Sequence, residues 1–218
     1  AGNLAAGPLS LINTINKKDS LKFLPFVVST SKKSNSVLLF SNLPGNKLNK
    51  KRISITNQTV TSVKLLEILL NQYWKIDQIT FVPENSVSEA KLLIGDEALE
   101  KKNSFDPSNY IYDLGEIWHK MTGLNFIFAQ WATLNTMEPD YQKILIENIS
   151  RGIKQKQKSL ETIIAKRNRE YMTDSDIKQY ISSFDYEYNP SHKNAINEFK
   201  NLLSINNLKI LFSEIPSC

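Results

Sequence analysis

Short apolar runs alternate with helical patterns over the first two-thirds of the chain, and this alternation most constrains the fold. The apolar runs are rich in Ile, Val, Leu and Phe and alternate only weakly with polar residues, as strands that are covered on both faces do. The predicted strands lie at residues 37–41, 52–56, 79–82, 91–94, 109–112 and 125–132. Strand–helix–strand order of this kind predicts an α/β architecture with a largely parallel sheet.

Helix signals fill the segments between these runs. Residues 61–74 place apolar side chains on one face after a hydroxyl-rich turn, and residues 96–102 follow a predicted strand directly. Residues 113–121 open with Asp113 as a predicted cap and end at Gly123. Beyond residue 138 the pattern is helical until an apolar tail at 208–215, which is predicted as a final strand or a segment tucked on the surface. We expect these helices to pack against the α/β part.

The composition is that of an ordinary globular protein. The chain has 218 residues, of which 41% are hydrophobic and 22% charged, which fits one large domain or two small lobes. Its single cysteine, Cys218, excludes a disulfide framework and a cysteine-based metal site. No apolar run approaches the roughly 20 residues that cross a bilayer, so no membrane partner is expected.

The excess of basic over acidic residues suggests a nucleic-acid-binding protein, but the distribution of the basic residues along the chain argues against one. The 27 Lys and Arg residues exceed the 22 Asp and Glu residues, which gives a formal net charge of +5. The basic residues lie in scattered clusters without interleaved aromatic side chains, unlike a nucleic-acid-binding surface. We therefore expect a solvated surface and no nucleic-acid partner. A modest positive field would still help a small anion to find its site.

A hydroxyl-rich turn at residues 55–62 is the first candidate site. Thr59, Thr61 and Ser62 lie between a predicted strand and a predicted helix, where unpaired amides of the helix start would assist them in holding a carboxylate or a phosphate. The same hydroxyl groups would also serve as helix caps. Both interpretations stay open from the residues alone.

Two other short segments carry candidate residues. Gly95 and Asp96 follow the strand at 91–94, where glycine permits close approach of the backbone and Asp96 either caps the helix or touches a ligand. Ser10 would lie at a strand end and face the same ligand-binding cleft as these turns, beyond the carboxyl ends of the strands.

Several common catalytic motifs are absent from the sequence. It contains no Gly-x-Gly-x-x-Gly, no phosphate-binding Gly-Lys-Ser/Thr loop, no His-Glu-x-x-His and no Gly-x-Ser-x-Gly. His119 and His192 lack neighbours at metal-ligand spacing. His119 is predicted to be an exposed or edge residue of its helix, and His192 to be structural at a helix start. The residues alone therefore indicate a two-lobed α/β protein with anion-binding turns, and they identify no catalytic residue and no metal site.

Four segments resemble one enzyme family. SVLLFSNLP at 36–44, the stretch at 52–70, AKLLIGDEAL at 90–99 and the stretch at 112–132 look like the chorismate dehydratases of menaquinone biosynthesis by the futalosine pathway. The last segment is the most specific, because DLGE, a nearby Trp, TGL and FIFAQW occur in one run. The sister family, the 1,4-dihydroxy-6-naphthoate synthases, shares the DLG and TGL parts, but the following aromatic strand favours the dehydratases.

The resemblance implies a type II periplasmic-binding-protein-like fold, in which two α/β lobes hold the ligand in the cleft between them. Lobe one would combine residues 1–42 with 126–218 and include the helical carboxyl-terminal part, and lobe two would span 43–125. SVLLFS and NFIFAQW would be the crossing strands. The family begins with a strand and a Tyr-Leu-Asn-type stretch that nothing here matches, so we expect a further amino-terminal segment in the natural chain.

The resemblance also implies an activity, namely dehydration of chorismate to 3-[(1-carboxyvinyl)oxy]benzoate in the cytoplasm without a metal or organic cofactor. Thr61 and Ser62 would hold a substrate carboxylate, while Ser10, Ser36, Gly95 and Asp96 would lie near the cleft. The expected partner is a small chorismate-like anion, and the expected state is a monomer or a homodimer. The alternatives are the sister synthase and a non-catalytic solute-binding protein of the same fold that binds a small carboxylate.

Overall fold

A computed structural model describes residues 5–56, 59–104, 106, 108–166 and 171–212. In these residues the chain forms two β-sheets with helices around them. The strands are β1 (Ala6–Ser10), β2 (Leu21–Thr30), β3 (Val37–Ser41), β4 (Arg52–Ile55), β5 (Gln78–Pro83), β6 (Ala90–Ile94), β7 (Tyr110–Asp113), β8 (Phe126–Leu134), β9 (Phe184–Glu187) and β10 (Lys209–Phe212). The α-helices are α1 (Leu11–Asn16), α2 (Val60–Ile68), α3 (Gly95–Asn103), α4 (Leu114–Thr122), α5 (Pro139–Lys154), α6 (Lys156–Lys166), α7 (Asp174–Ser182) and α8 (Pro190–Ser204).

The larger sheet has six strands in the order β10-β5-β4-β6-β3-β7. Strand β4 is parallel to both β5 and β6, and β10 is parallel to β5, as the strand–helix alternation predicts. Strand β3 runs antiparallel to its two neighbours, β6 and β7. All five residues of β3 are buried, which explains why this strand reads as a continuous apolar run.

The smaller sheet has four strands in the order β1-β8-β2-β9, and every pairing in it is antiparallel. The expectation of a largely parallel sheet therefore applies to the larger sheet alone. Strand β2 is not among the strands that the sequence predicts. Its pairing with β8 shifts register between Phe23 and Val27, around Pro25. Such an irregularity breaks the period of two on which strand prediction depends.

The chain passes between the sheets at residues 31–36, after β2, and at 123–125, before β8. The predicted crossing strands, SVLLFS at 36–41 and NFIFAQW at 125–131, directly follow these passages. Strand β3 is hydrogen-bonded on both sides within the larger sheet, and β10 also lies in that sheet. The predicted lobes, 1–42 with 126–218 and 43–125, stay a prediction.

One apolar core connects the two sheets. It includes Leu11 and Val27 beside the smaller sheet and Leu39 and Ile53 in the larger one. At its centre the ring of Phe126 lies 5.3 Å from Trp118 and 5.4 Å from Phe199, centroid to centroid, in edge-to-face geometry. Aromatic pairs of this geometry contribute about 1 kcal/mol each beyond the burial of their area. Helix α4, strand β8 and helix α8 are held together by these three rings.

Local signals in the sequence set the helix bounds near the larger sheet. The Asp113 carboxylate accepts a hydrogen bond from the N–H of Glu116 and so caps α4, which ends at Gly123 in the left-handed conformation with φ of 73°. Helix α2 continues as a π-helical turn over Leu69–Tyr73.

The carboxyl-terminal helices pack more loosely. Leu160, Ile164 and Ile177 form a separate apolar cluster between α6 and α7, and α5 buries none of its residues. Of the predicted tail at 208–215, residues 209–212 form β10, and residues 213–215 lie outside the described residues. Within the described ranges, the helices fall short of the length and apolar character that a bilayer-crossing segment requires.

Candidate functional site

The strand register brings several turns to one edge of the larger sheet. Ile55, at the end of β4, lies opposite Leu92 of the parallel strand β6, whose last residue Ile94 lies opposite Val37. Asp113, at the end of β7, lies opposite Leu38. Because α2, α3 and α4 follow these strand ends, three helix N-termini open on the same edge. The unpaired amides of helix starts favour bound anions, and ligands of open α/β sheets bind at this kind of edge.

The hydroxyl-rich turn lies at the start of α2. The Thr59 hydroxyl accepts a hydrogen bond from the Ser62 N–H at 3.3 Å and donates one to Ser62 Oγ at 3.2 Å. Thr59 is therefore the helix cap. Because Ser62 Oγ serves as an acceptor here, its own hydrogen is left to donate to a ligand. Asn57 and Gln58, in the same predicted turn, lie outside the described residues.

Thr61 is 1% exposed and connects the two sheets. Its Oγ1 accepts a hydrogen bond of 3.2 Å from the backbone N–H of Ile12, in the first turn of α1. Ser10 immediately precedes this helix, and its buried Oγ has no hydrogen-bond partner among the described residues. The starts of α1 and α2 thus meet between the sheets at this contact. That Ser10, Thr61 and Ser62 bind a ligand there stays a prediction.

Ser36 and Gly95 form the second part of the edge. The Gly95 N–H donates a 2.8 Å hydrogen bond to the Ser36 carbonyl, and Gly95 adopts a φ of +59° that favours glycine. The Ser36 hydroxyl lies 2.7 Å from the hydroxyl of Tyr180, on α7. Asp96 is an exposed residue in the first turn of α3. This group lies one strand away from the turn after β4, at the roughly 4.8 Å spacing of neighbouring strands.

Asp113 contributes a network beyond its predicted capping role. Its Oδ1 accepts hydrogen bonds from the Ser34 N–H at 3.0 Å and the Ser34 hydroxyl at 2.8 Å, and its Oδ2 accepts one of 2.7 Å from the Asn35 N–H. A side chain at Gly115 would approach the Ser34 backbone to 2.9 Å, so only glycine fits there. Residues 113–115 therefore fix the crossing segment that carries Ser36.

A cavity of about 380 Å³ adjoins this second group. Lys33, Asn35, Lys102 and Tyr180 are among its lining residues. The Lys33 ammonium lies 3.2 Å from a carboxylate oxygen of Glu116, whose pKa is lowered mainly by its hydrogen bond to Lys120 and further by Lys33. Lys33 is thus held near the edge by an ionised partner. The cavity is lined by Lys33 and Lys102 together with one carboxylate, Asp176.

His192 is structural, as its place at a helix start predicts. It is fully buried, its Nδ1 accepts a 3.0 Å hydrogen bond from the Asn189 N–H, and its Nε2 lies 2.8 Å from the Ser29 hydroxyl. The occupied Nδ1 assigns the proton to Nε2, which donates to Ser29. Burial lowers the pKa of His192, opposed in part by Asp185, so the neutral imidazole is favoured.

The edge therefore combines residues that the sequence identifies with others that it does not. The side chain of Tyr180 and the backbone N–H of Ile12 escape sequence reasoning, because no local motif marks either as a partner of Ser36 or Thr61. The spacing of Asp113 from Glu116 predicts that Asp113 caps a helix. It does not predict that Asp113 also accepts hydrogen bonds from residues 34 and 35.

Comparisons with known proteins agree with this architecture. The profile of a protein family described as menaquinone biosynthesis matches residues 1–204. The crystal structure of protein AF1704 from Archaeoglobus fulgidus superposes with a TM-score of 0.67 at 14% sequence identity, covering 93% of this chain and 79% of that one. The predicted two-lobed α/β fold, similar to the type II periplasmic-binding-protein fold with a helical carboxyl-terminal part, is confirmed.

A second solved structure matches more weakly. The second substrate-binding domain assigned to an amino acid ABC transporter from Streptococcus pneumoniae has a TM-score of 0.34 at 9% identity, covering 78% of this chain and 67% of that one. A similarity of that size carries no argument about this chain.

Proposed function

The chain belongs to the menaquinone-biosynthesis family, and from this premise we propose that it is a chorismate dehydratase of the futalosine pathway, forming 3-[(1-carboxyvinyl)oxy]benzoate at the edge between its two sheets. The observation that carries the proposal is the convergence of the α2, α3 and α4 N-termini with the Ser62 hydroxyl on that edge. The proposed partner is a small dianion, met in the cytoplasm by a monomer or homodimer that needs neither nucleic acid nor membrane.

The groups at the edge suit a dicarboxylate. Helix N-termini supply backbone N–H donors, and Ser62 supplies a hydroxyl donor beside them. The second carboxylate would lie toward Gly95 and Asp96 at the start of α3, one strand away. Lys33 and Lys102 add positive charge on the same side. Two donor groups separated by a strand spacing would orient an elongated dianion along the edge.

The reaction asks little covalent chemistry of the protein. An acidic C–H bond of the ring is broken, the ring hydroxyl leaves as water with that proton, and the ring becomes aromatic, which drives the step. The protein must hold both carboxylates, stabilise the charge that develops as the proton departs, and exclude water. Ser62, Thr61 and the amides of α2 are proposed to bind and orient the substrate; none of them is assigned as the base.

The direct test is incubation of the protein with chorismate, followed by chromatography of the products. We expect chorismate to disappear in step with formation of 3-[(1-carboxyvinyl)oxy]benzoate. The Ser62→Ala variant should lower kcat/KM about tenfold through loss of one hydrogen bond to a charged group. Ser204→Ala, which removes an exposed serine hydroxyl at the end of α8, is the matched control and should leave kcat/KM unchanged.

Two results would replace the proposal. Tight binding of chorismate or another small carboxylate without turnover would support a solute-binding protein. Conversion of the sister family's substrate to 1,4-dihydroxy-6-naphthoate, with no action on chorismate, would assign the chain to that reaction. Turnover of chorismate that is equally lowered by Ser62→Ala and Ser204→Ala would move the site away from the start of α2.

A further inference from the structure

A second cavity, of about 270 Å³, lies between α1 and α8 over the smaller sheet. Each helix presents residues at spacings of three, four and seven, which share one helix face. On the α1 side these are Leu11, Thr14, Ile15 and Lys18, and on α8 they are Lys193, Ile196, Asn197 and Lys200. The cavity includes none of the edge residues Ser10, Ser36, Thr61, Ser62, Gly95 and Asp96.

The charge around this cavity is of one sign. Lys18, Lys193 and Lys200 line it, and no Asp or Glu is among its described lining residues. All three lysines are exposed, and no described carboxylate lies within salt-bridge distance of them. Three ammonium groups around one recess attract an anion at a range of roughly 10 Å at moderate ionic strength.

Gln130 of β8 is the observation that points to a ligand. Its side chain lines the cavity, the residue is only 8% exposed, and its side-chain amide makes none of the hydrogen bonds found among the described residues. Its amide atoms are not among the fully buried unpartnered polar atoms of those residues, so the amide reaches the space of the cavity, where it can donate to a ligand. An amide N–H facing a recess rimmed with lysines is a donor placed for an anionic oxygen.

The rest of the lining is apolar. Leu11, Ile15, Phe23 and Ile196 contribute hydrocarbon surface, and Phe23 is 43% exposed although it lies within β2. Such a lining does not match a bare inorganic anion, which has no apolar surface to bury. It matches the body of a small organic acid, and the volume of about 270 Å³ lies just below the range of pockets for drug-sized ligands, which suits a smaller molecule.

We propose that the cavity between α1 and α8 binds a monocyclic aromatic carboxylate, with the carboxylate held by the Gln130 amide and the three lysines and the ring against Phe23 and Ile196. This site is separate from the edge where the dehydration is proposed, and it does not rest on that reaction. Its occupant bridges α1 and α8, and thereby stabilises the start of α1 that meets Thr61.

Benzoate is the probe for calorimetric titration and for amide chemical-shift mapping on the full chain. We expect saturable binding, with shifts confined to α1, α8, the middle of β8 and β2 around Phe23. Benzyl alcohol, which keeps the ring and removes the charge, and inorganic phosphate, which keeps charge and removes the ring, should both bind at least about tenfold more weakly. Equal binding of either compound would overturn the proposal.

Substitutions locate the site. The double variant Lys193→Ala/Lys200→Ala should weaken benzoate binding about tenfold, whereas Lys143→Ala/Lys154→Ala on α5 removes the same charge elsewhere and should leave it unchanged. An equal loss in both would show a general field effect and contradict the site. Benzoate shifts centred on α2, abolished by Ser62→Ala, would place the binding at the edge instead and also contradict it.

Gln130→Met gives an independent readout. Because the Gln130 amide has no described partner, its replacement by an apolar side chain of similar length should hold or raise the Tm while weakening benzoate binding about tenfold. A lower Tm with unchanged benzoate affinity would show that the amide serves the fold and would remove the main argument for the site.

Discussion

The backbone N–H of Ile12 donates a 3.2 Å hydrogen bond to Oγ1 of Thr61. One hydroxyl group thereby joins the start of α1, which follows a strand of the smaller sheet, to the start of α2, which follows a strand of the larger sheet. Since Thr61 is almost fully buried, removal of its oxygen would leave the Ile12 N–H without this acceptor. The contact makes Thr61 part of the scaffold as well as a candidate ligand-binding residue.

We therefore expect Thr61→Val to lower the free energy of unfolding by about 2 kcal/mol, since a buried donor that loses its partner keeps its full desolvation cost. Thr61→Ser retains the oxygen and should restore most of that stability. Urea unfolding followed by circular dichroism measures both. Equal stability of the Val variant and the wild type would show that the Ile12 N–H finds another acceptor.

Tyr180 and Ser36 should behave as an energetically coupled pair. Their hydroxyl groups lie 2.7 Å apart and join α7 to the residue before β3. Tyr180→Phe and Ser36→Ala are each expected to cost about 1 kcal/mol, and the double variant should cost less than the sum. Hydrogen exchange of the α7 amides should quicken in both single variants. Tyr141→Phe, at a site 66% exposed, is the control and should change nothing.

His192 should make stability depend on pH on the acid side of neutrality. Burial lowers its pKa in the folded chain, so between that pKa and the unfolded value of about 6.5 the unfolded chain binds the proton first. Stability from this group is complete above about pH 6.5 and is lost as the pH falls through the folded pKa. Unfolding in urea at about pH 7.5 and about pH 5.5 measures the slope. His192→Gln should flatten it, and a slope equal to that of the wild type in this variant would contradict the assignment.

Two glycines should respond oppositely to the same change. A methyl group on Gly45 would overlap the indole of Trp74, so Gly45→Ala should destabilise the protein by about 2 kcal/mol. Gly152 lies within α5 with open space around it, and Gly152→Ala should stabilise by about 0.7 kcal/mol through helix propensity. Thermal unfolding of the two variants measures both signs; a Gly45→Ala variant as stable as the wild type would mean that Trp74 moves aside at little cost.

The larger sheet was predictable from sequence because its signals are local. Leu39 lies in a continuous apolar run and Ile53 in the alternating run RISI, while Thr59, Asp113 and Gly123 mark helix ends by rules that need no knowledge of the partner. The smaller sheet was not predictable to the same degree. Pro25 and the shifted register of β2 disturb the period of two, and β9 is a strand of only four residues with a half-exposed pattern.

The candidate site divides in the same way. Ser62, Gly95 and Asp96 stand at strand-to-helix turns that any reader of the sequence can locate, and the register brings them to one edge. The contacts of Tyr180 with Ser36 and of Ile12 with Thr61 span 144 and 49 residues of chain. Contacts of such separation are decided by how the helices pack, which no short pattern in the sequence encodes.

The backbone crosses between the two sheets a third time before β10, after the earlier crossings at 31–36 and 123–125. Two halves joined by only two segments can open by a hinge movement. Here a third connection and the packed rings of Trp118, Phe126 and Phe199 resist that movement. We therefore expect a ligand to enter through small displacements of α3 and α7, which line the cavity beside the edge, without separation of the two sheets.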